Sequence, residues 1–258
     1  MSLIQQERQN SLLILRLNRP EVFNSFNREM ALELQDMLTS ANNDSSVRAI
    51  LLTGNGKAFC AGQDLQEVMD PNGPELPKIV SEHYNPIIKL IRNTQKPIIA
   101  AVNGVAAGAG ANIALACDIV LSSSNASFIQ AFSKIGLIPD SAGTYFLPRL
   151  VGWQKASALA MTGDKVSAEE AERMGMIFKV YDAESFEEQA LNLAEKMSEM
   201  PTKGLWLTKK LMNESFQNDL NQQLEREGDL QTEAGQTYDY NEGVQAFLEK
   251  RKANFKGE

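Results

Sequence analysis

Short apolar runs separate longer stretches in which apolar residues return every three or four positions, a pattern that predicts strands interleaved with helices. Residues 12–17 read as a strand, with residues 3–8 as an antiparallel partner across Gln9-Asn10-Ser11. Further strands are expected at 47–53, 98–102, 118–121, 127–130 and 177–181. The run from Ile98 to Val102 is apolar without a break, as a strand covered on both faces would be. Asn27 can cap a helix reaching about Ala41, with Met30, Leu34, Met37 and Leu38 on one face. A helix over 78–92 should bend near Pro86. Another spans 153–161, and Ser167 with Glu170 forms a capping box for a short helix ending near Gly175. From Glu184 onward the chain is helical by every signal, over 184–200, 202–216, 220–232 and 241–252. Loops are expected over 54–65, over the proline-rich and mobile segment 70–77, and over 135–144. The whole reads as an α/β core followed by a helical region.

Composition narrows the function. With 25 Lys+Arg against 33 Asp+Glu the net charge is −8, which lacks the basic footprint of a nucleic-acid binder. No stretch approaches the ~18 consecutive apolar residues of a membrane span, and the N-terminus lacks a signal-peptide pattern. A cytoplasmic protein without a membrane partner is therefore expected. Cys60 and Cys117 have no companions at metal-ligand spacing, so neither a metal site nor a disulfide framework is expected. The one histidine, His83, lies in a helical pattern and reads as solvated or at the edge of the core. A Ser-His-Asp triad or a multi-histidine metal site would rest on it alone. Acid–base chemistry falls first to carboxylates.

Two stretches stand out. After Lys96-Pro97 and the apolar run comes Asn103-Gly104-Val105-Ala106-Ala107-Gly108-Ala109-Gly110-Ala111-Asn112, a turn signal followed by little but hydrogens and methyl groups, then an apolar helical run. Such a chain lets a ligand approach the backbone at a helix mouth, where the first N–H groups lack intrahelical partners. It would equally suit tight packing of two elements. The loop Ala61-Gly62-Gln63-Asp64-Leu65 repeats the logic, so that each stretch could present one N–H to the same oxygen.

Together, Phe59-Cys60-Ala61-Gly62-Gln63-Asp64-Leu65 and the run from Asn103 to Gly110 resemble the paired signature of the crotonase (enoyl-CoA hydratase/isomerase) superfamily. The resemblance covers nearly the whole chain, from Leu17-Asn18-Arg19-Pro20 to the segment 242–251. It implies an α/β fold, a crotonase-like spiral of ββα units over 1–200, with a C-terminal helical trimerisation region over 201–258. It also implies self-association as a trimer or dimer of trimers. The substrate would be an acyl-CoA thioester, with no cofactor beyond the CoA of the substrate. Matched position by position, the N–H groups that hold the thioester oxygen are those of Gln63 and Ala109. Ala61, Gly62, Asp64, Leu65, Gly108 and Phe132 would line the substrate site. Phe247 and Lys250, in a basic end to the last helix, would reach the CoA adenine and 3′-phosphate of a neighbouring subunit.

The acid–base positions discriminate within the family. Hydratases carry two glutamates where this chain has Asn112 and Phe132, neither of which exchanges a proton. Asp140 stands in the loop position where dienoyl-CoA and ring-epoxide isomerases carry a catalytic aspartate. Its flanks Ile135, Leu137 and Ile138 should desolvate it and raise its pKa. Ala142 departs from the family, where glycine is usual, and its methyl group would narrow the acyl pocket. The expectation is an acyl-CoA isomerase acting on a ring-epoxide phenylacetyl thioester or on an enoyl-CoA double bond. Its rivals are an enoyl-CoA hydratase, an acyl-CoA-binding module, and an RNA-binding module using Lys203, Lys209 and Lys210.

Overall fold

The computed structural model describes residues 2–258. Its strands are β1 (Ile4–Gln9), β2 (Leu12–Leu17), β3 (Ala49–Gly54), β4 (Ala58–Cys60), β5 (Ile98–Val102), β6 (Val105–Ala107), β7 (Ile119–Ser123), β8 (Ser127–Ile129), β9 (Lys165–Ser167) and β10 (Lys179–Tyr181). They form a six-stranded sheet in the order β1-β2-β3-β5-β7-β10 and a four-stranded sheet in the order β4-β6-β8-β9. The β1/β2 hairpin and the β8/β9 pair are antiparallel, and the other pairings are parallel. Successive strands from β3 to β8 go alternately to the large and the small sheet, and helices follow each pair. This is the spiral of ββα turns.

The helices of the spiral are α1 (Arg28–Asn43), α2 (Leu65–Met69), α3 (Leu76–Lys78), α4 (Asn85–Asn93), α5 (Ala109–Ala116), α6 (Gly143–Val151), α7 (Trp153–Thr162), α8 (Ala168–Arg173) and α9 (Phe186–Glu199). The C-terminal region adds α10 (Thr202–Glu214), α11 (Leu220–Gly235) and α12 (Tyr238–Glu249). Alternate residues of the large sheet enter two cores. Leu13, Leu15, Leu17, Ile50, Leu52, Ile98 and Ala100 face the main one. Leu12, Ile14, Ala49, Leu51, Ile99 and Ala101 pack against Phe186, Ala190 and Ala194 of α9. Burial on both faces is why these strands are apolar throughout.

Most of the longer elements lie where the pattern predicts them. Asn27 caps α1, its Oδ1 accepting from the Met30 N–H at 3.0 Å. Ser167 makes the first half of its capping box, accepting from the Glu170 N–H at 3.2 Å. The short elements differ. β4, β6 and β9 are three residues each, too short for a period to register, so of the small sheet only β8 falls where a strand is expected. α6 begins inside the loop expected over 135–144, because Gly143 opens it and Pro148 lies inside it. Pro77 belongs to α3 rather than to a loop.

The expected bend at Pro86 takes the form of a π-helical segment, Ile79–Tyr84, running into α4. Pro86 has no N–H to offer the Glu82 carbonyl, which instead accepts from Gln35 Nε2 at 2.8 Å. His83, on this segment, is fully buried rather than solvated, its Nε2 accepting from Arg28 at 3.2 Å. Burial lowers its pKa.

The C-terminal helices are tied to the spiral by a buried cluster. Lys209 Nζ lies 2.9 Å from Asp118 Oδ2 and donates to the Ile91 carbonyl at 2.7 Å, and Arg92 lies 3.1 Å from Asp118 Oδ1. Lys209 is thus committed to the interior, and Lys203 is paired with Glu233 at 2.5 Å. Neither is a free basic side chain for RNA. No helix among the described residues is long and apolar enough to cross a membrane.

Candidate active site

The two small-residue stretches meet because β4 and β6 are parallel neighbours, Cys60 opposite Ala106, and the chain leaves both at the same end. Gly62 has φ 95°, and a Cβ there would lie 2.9 Å from the Ala107 carbonyl oxygen and 3.4 Å from the Ala109 nitrogen. Only glycine satisfies both constraints. At Gly110 a Cβ would lie 2.7 Å from Cys60 Sγ, so α5 packs directly on β4. The small residues therefore serve close packing as well as exposing backbone.

Gln63 makes a parallel bridge with Phe26: the Phe26 N–H donates to the Gly62 carbonyl at 2.7 Å, and the Asp64 N–H donates to the Phe26 carbonyl at 2.8 Å. In such a bridge the middle residue's own N–H faces the other way. Ala109 is the first residue of α5, after Gly108 at φ 53°. Neither the Gln63 nor the Ala109 N–H has an acceptor among the described residues. Both lie just beyond the parallel strands β4 and β6, at the same end of the small sheet.

The Gln63 side chain is clamped. Its Oε1 accepts from the Tyr84 hydroxyl at 2.8 Å and its Nε2 donates to Glu67 Oε2 at 2.9 Å. Glu67 in turn accepts from the Arg28 N–H at 2.8 Å. Asp64 is occupied structurally, capping α2 through the Gln66 N–H at 3.0 Å and pairing with Arg19 at 2.8 Å. Ala61 donates its N–H to the Phe23 carbonyl at 2.9 Å, and Leu65 is exposed at the start of α2. Phe132 is buried, with its ring edge beside Gly108.

Asp140 joins this group from the α6 side. Its carbonyl accepts from Asn112 Nδ2 at 2.8 Å, and Asn112 Oδ1 accepts from Gln130 Nε2 at 2.8 Å. Its carboxylate accepts from the Ser141 hydroxyl at 2.9 Å. Burial pushes the Asp140 carboxyl above its ordinary value, against the opposing effect of hydrogen bonds from Ser141 and its own backbone. Ile135, Leu137 and Ile138 do not supply that setting as expected, since all three are exposed. Asp140 is half-buried, and Asn112 meets its backbone; the Tyr84 phenol is pushed well above its usual value by burial first, with the charges of Cys60 and Asp140 adding to it. The Ala142 methyl, expected to narrow the acyl pocket, packs against the main core.

Phe247 and Lys250 are placed elsewhere. Phe247 lines a groove with Pro201, Tyr240, Val244 and Phe255 and is 82 % exposed. The last helix ends at Glu249, and Lys250 caps it in the left-handed region at φ 56° instead of continuing a basic helix. The pattern gave no hint of Tyr84, Gln130 or Glu67 as site residues, because a polar side chain held by tertiary hydrogen bonds leaves no period to read.

A ββα spiral followed by a helical C-terminal region is the fold of the hydratase/isomerase class of enzymes. The family model for enoyl-CoA hydratase/isomerase matches residues 7–258, and the chain belongs to this family. It is 46% identical over 260 residues to the 1,2-epoxyphenylacetyl-CoA isomerase of Escherichia coli strain K12, covering 100% of this chain and 99% of that one. It is 36% identical over 250 residues to the crotonyl-CoA hydratase of Syntrophomonas wolfei, covering 96% of each. The crystal structure of an enoyl-CoA hydratase from Bacillus anthracis superimposes with a TM-score of 0.93 at 34% identity, covering 100% of both chains.

Proposed function

We propose that the protein isomerises an acyl-CoA thioester through an enolate, with the Gln63 and Ala109 N–H groups on the thioester oxygen and Asp140 moving the proton. The observation that carries this reading is the state of position 112. Where a hydratase would hold a water-activating glutamate, Asn112 spends both ends of its amide on Gln130 and the Asp140 backbone. Asp64 and Glu67 are taken up by Arg19 and the α2 cap and by Gln63 and Arg28, which leaves Asp140, with its pKa raised by burial, as suits a general base. Removing a proton next to a thioester places negative charge on the carbonyl oxygen, and each well-placed N–H donor there contributes about 3–4 kcal/mol in the transition state. The same carboxyl can return the proton to another carbon of the conjugated intermediate.

The substrate is an aromatic-ring epoxide thioester or an unsaturated enoyl-CoA, in line with the isomerase to which the chain is 46% identical. CoA belongs to the substrate, and no separate cofactor takes part. Apolar side chains on the C-terminal helices, including Leu224, Val244, Phe247 and Leu248, are exposed in the single chain and suit contact with further copies in a trimer or dimer of trimers. Turnover of a panel of CoA thioesters tests the reading. Conversion of an epoxide or 3-enoyl thioester without hydration supports it, and hydration of crotonyl-CoA independent of Asp140 would replace it with the hydratase.

A further inference from the structure

The segment bearing Asp140 is a strained turn. The Gly143 N–H donates to the Asp140 carbonyl at 2.8 Å, and both residues between them have positive φ, Ser141 at 49° and Ala142 at 59°. Turns of this kind are normally built from asparagine and glycine, because L residues with a full Cβ disfavour the left-handed region. Here the central pair is Ser-Ala. Left to itself, such a turn would open toward ordinary backbone angles and carry the Asp140 side chain with it.

Asn112 opposes that. Its amide reaches the same carbonyl that closes the turn, which therefore takes two donors, the Gly143 N–H and Asn112 Nδ2, each at 2.8 Å. The amide lies directly against Gly143, where any Cβ would collide with it. Asn112 is 1% exposed, and its orientation is fixed from behind by Gln130, itself 4% exposed. Asn112 also stands on α5, three residues after Ala109. One rigid helix thus carries an N–H of the site at its first turn and the anchor of the Asp140 turn.

Resting on the isomerase reading above, we infer that Asn112, seated on Gln130, is a positioning residue that holds the strained 140–143 turn closed and sets the Asp140 carboxylate at a fixed distance from the Ala109 N–H. The position that serves a hydratase as an acid is used here to aim one. Ala142 sharpens the dependence, since a glycine at that place would let the turn close without help.

The test compares wild type, Asn112→Ala, Asn112→Asp, Ala142→Gly and the Asn112→Ala/Ala142→Gly double variant. Turnover of a 3-enoyl-CoA and amide hydrogen exchange over 140–143 are measured on each. Asn112→Asp keeps the volume and the acceptor for Gln130 and, once ionised in alkaline buffer, removes the donor to the turn, so measured there it guards against misfolding of the alanine variant. The expected result is a loss in kcat of about tenfold to a hundredfold for both Asn112 variants with KM within about threefold, the signature of a misplaced reacting group. Exchange at Gly143 should quicken while the rest of the chain keeps its protection. The double variant should recover at least about threefold over Asn112→Ala, since the glycine restores closure. Unchanged kcat in Asn112→Asp, or a double variant no better than the single one, overturns the inference. If wild type turns over no thioester, the isomerase reading fails by itself, and exchange at Gly143 still decides whether Asn112 closes the turn.

Discussion

The Tyr84 hydroxyl donates to Gln63 Oε1 at 2.8 Å, and through that bond a π-helical segment holds the residue whose backbone N–H has no acceptor among the described residues. Tyr84 is fully buried, so its ring has no freedom to release the amide. π segments recur at functional sites because the extra residue re-aims side chains that an α-helix would place elsewhere. Tyr84→Phe removes the bond and little else. A neutral hydrogen bond is worth about 0.5–1.5 kcal/mol, so Tm should fall by about 1–6 °C and kcat/KM by no more than about 12-fold. A loss above a hundredfold would show that the phenol takes part in proton transfer itself.

Asp140→Asn should abolish isomerisation while leaving thioester binding within a few-fold. General acid–base catalysis contributes about 10²–10⁴-fold, and a loss below tenfold would move the proton-transfer role to another group. Steady-state turnover and equilibrium binding of an unreactive CoA thioester measure the two effects separately.

The pH dependence has a definite sign. Burial raises the Asp140 pKa in the folded chain, and the base must be ionised, so kcat/KM should fall as pH drops through a value above the ordinary carboxylate range of about 3.9. The same shift acts on stability. A group with a raised folded pKa stabilises the fold below its unfolded pKa and loses that contribution as pH rises through the folded value. Asp140→Asn should therefore raise Tm at neutral pH, and the gain should vanish in acid. No gain at neutral pH would mean that the carboxylate is solvated, and a gain independent of pH would mean that its ionisation is not the cause.

How much of this could be read from the chain depends on what kind of signal each part leaves. The large sheet was legible because both of its faces are buried, which writes Leu12 to Leu17 and Ile98 to Val102 as continuous apolar runs. Of the small sheet only β8 was, since three residues such as Ala58–Cys60 carry no period. Gln63, Ala109 and Asp140 stood out through local chemistry and resemblance: glycines beside a helix mouth and an acid after a proline. In the sequence, Asn112 signals only a proton that it cannot exchange. That its amide holds the Asp140 carbonyl depends on a 28-residue separation closed by the fold, which no local pattern records.

Lys250 offers a check on assembly. In the single chain it is the exposed left-handed cap of α12. If it meets the CoA 3′-phosphate of a neighbouring subunit, Lys250→Ala should weaken binding of a CoA thioester but not of a pantetheine analogue lacking that phosphate. Equal weakening of both would assign the residue to folding alone, since a lysine at φ 56° is itself strained.

Water decides between the isomerase and its rival. Adding water to crotonyl-CoA requires groups that orient and deprotonate a water molecule, and at the two positions where the family's hydratases place them stand Asn112, with its amide fully engaged, and Phe132, buried beside Gly108. Hydration should be very slow or absent, while a 3-enoyl-CoA is converted to its 2-enoyl isomer. Asn112→Glu is the informative variant. The longer acid must enter the space against Gly143 that the amide now fills, and it brings no donor to the Asp140 carbonyl. It should thus gain at most weak hydration and lose isomerisation as well, because placing two groups matters as much as having them. Absorbance of the conjugated enoyl thioester, followed in both directions, reads both activities. Brisk hydration by wild type that survives Asp140→Asn would make the protein a hydratase with a different base.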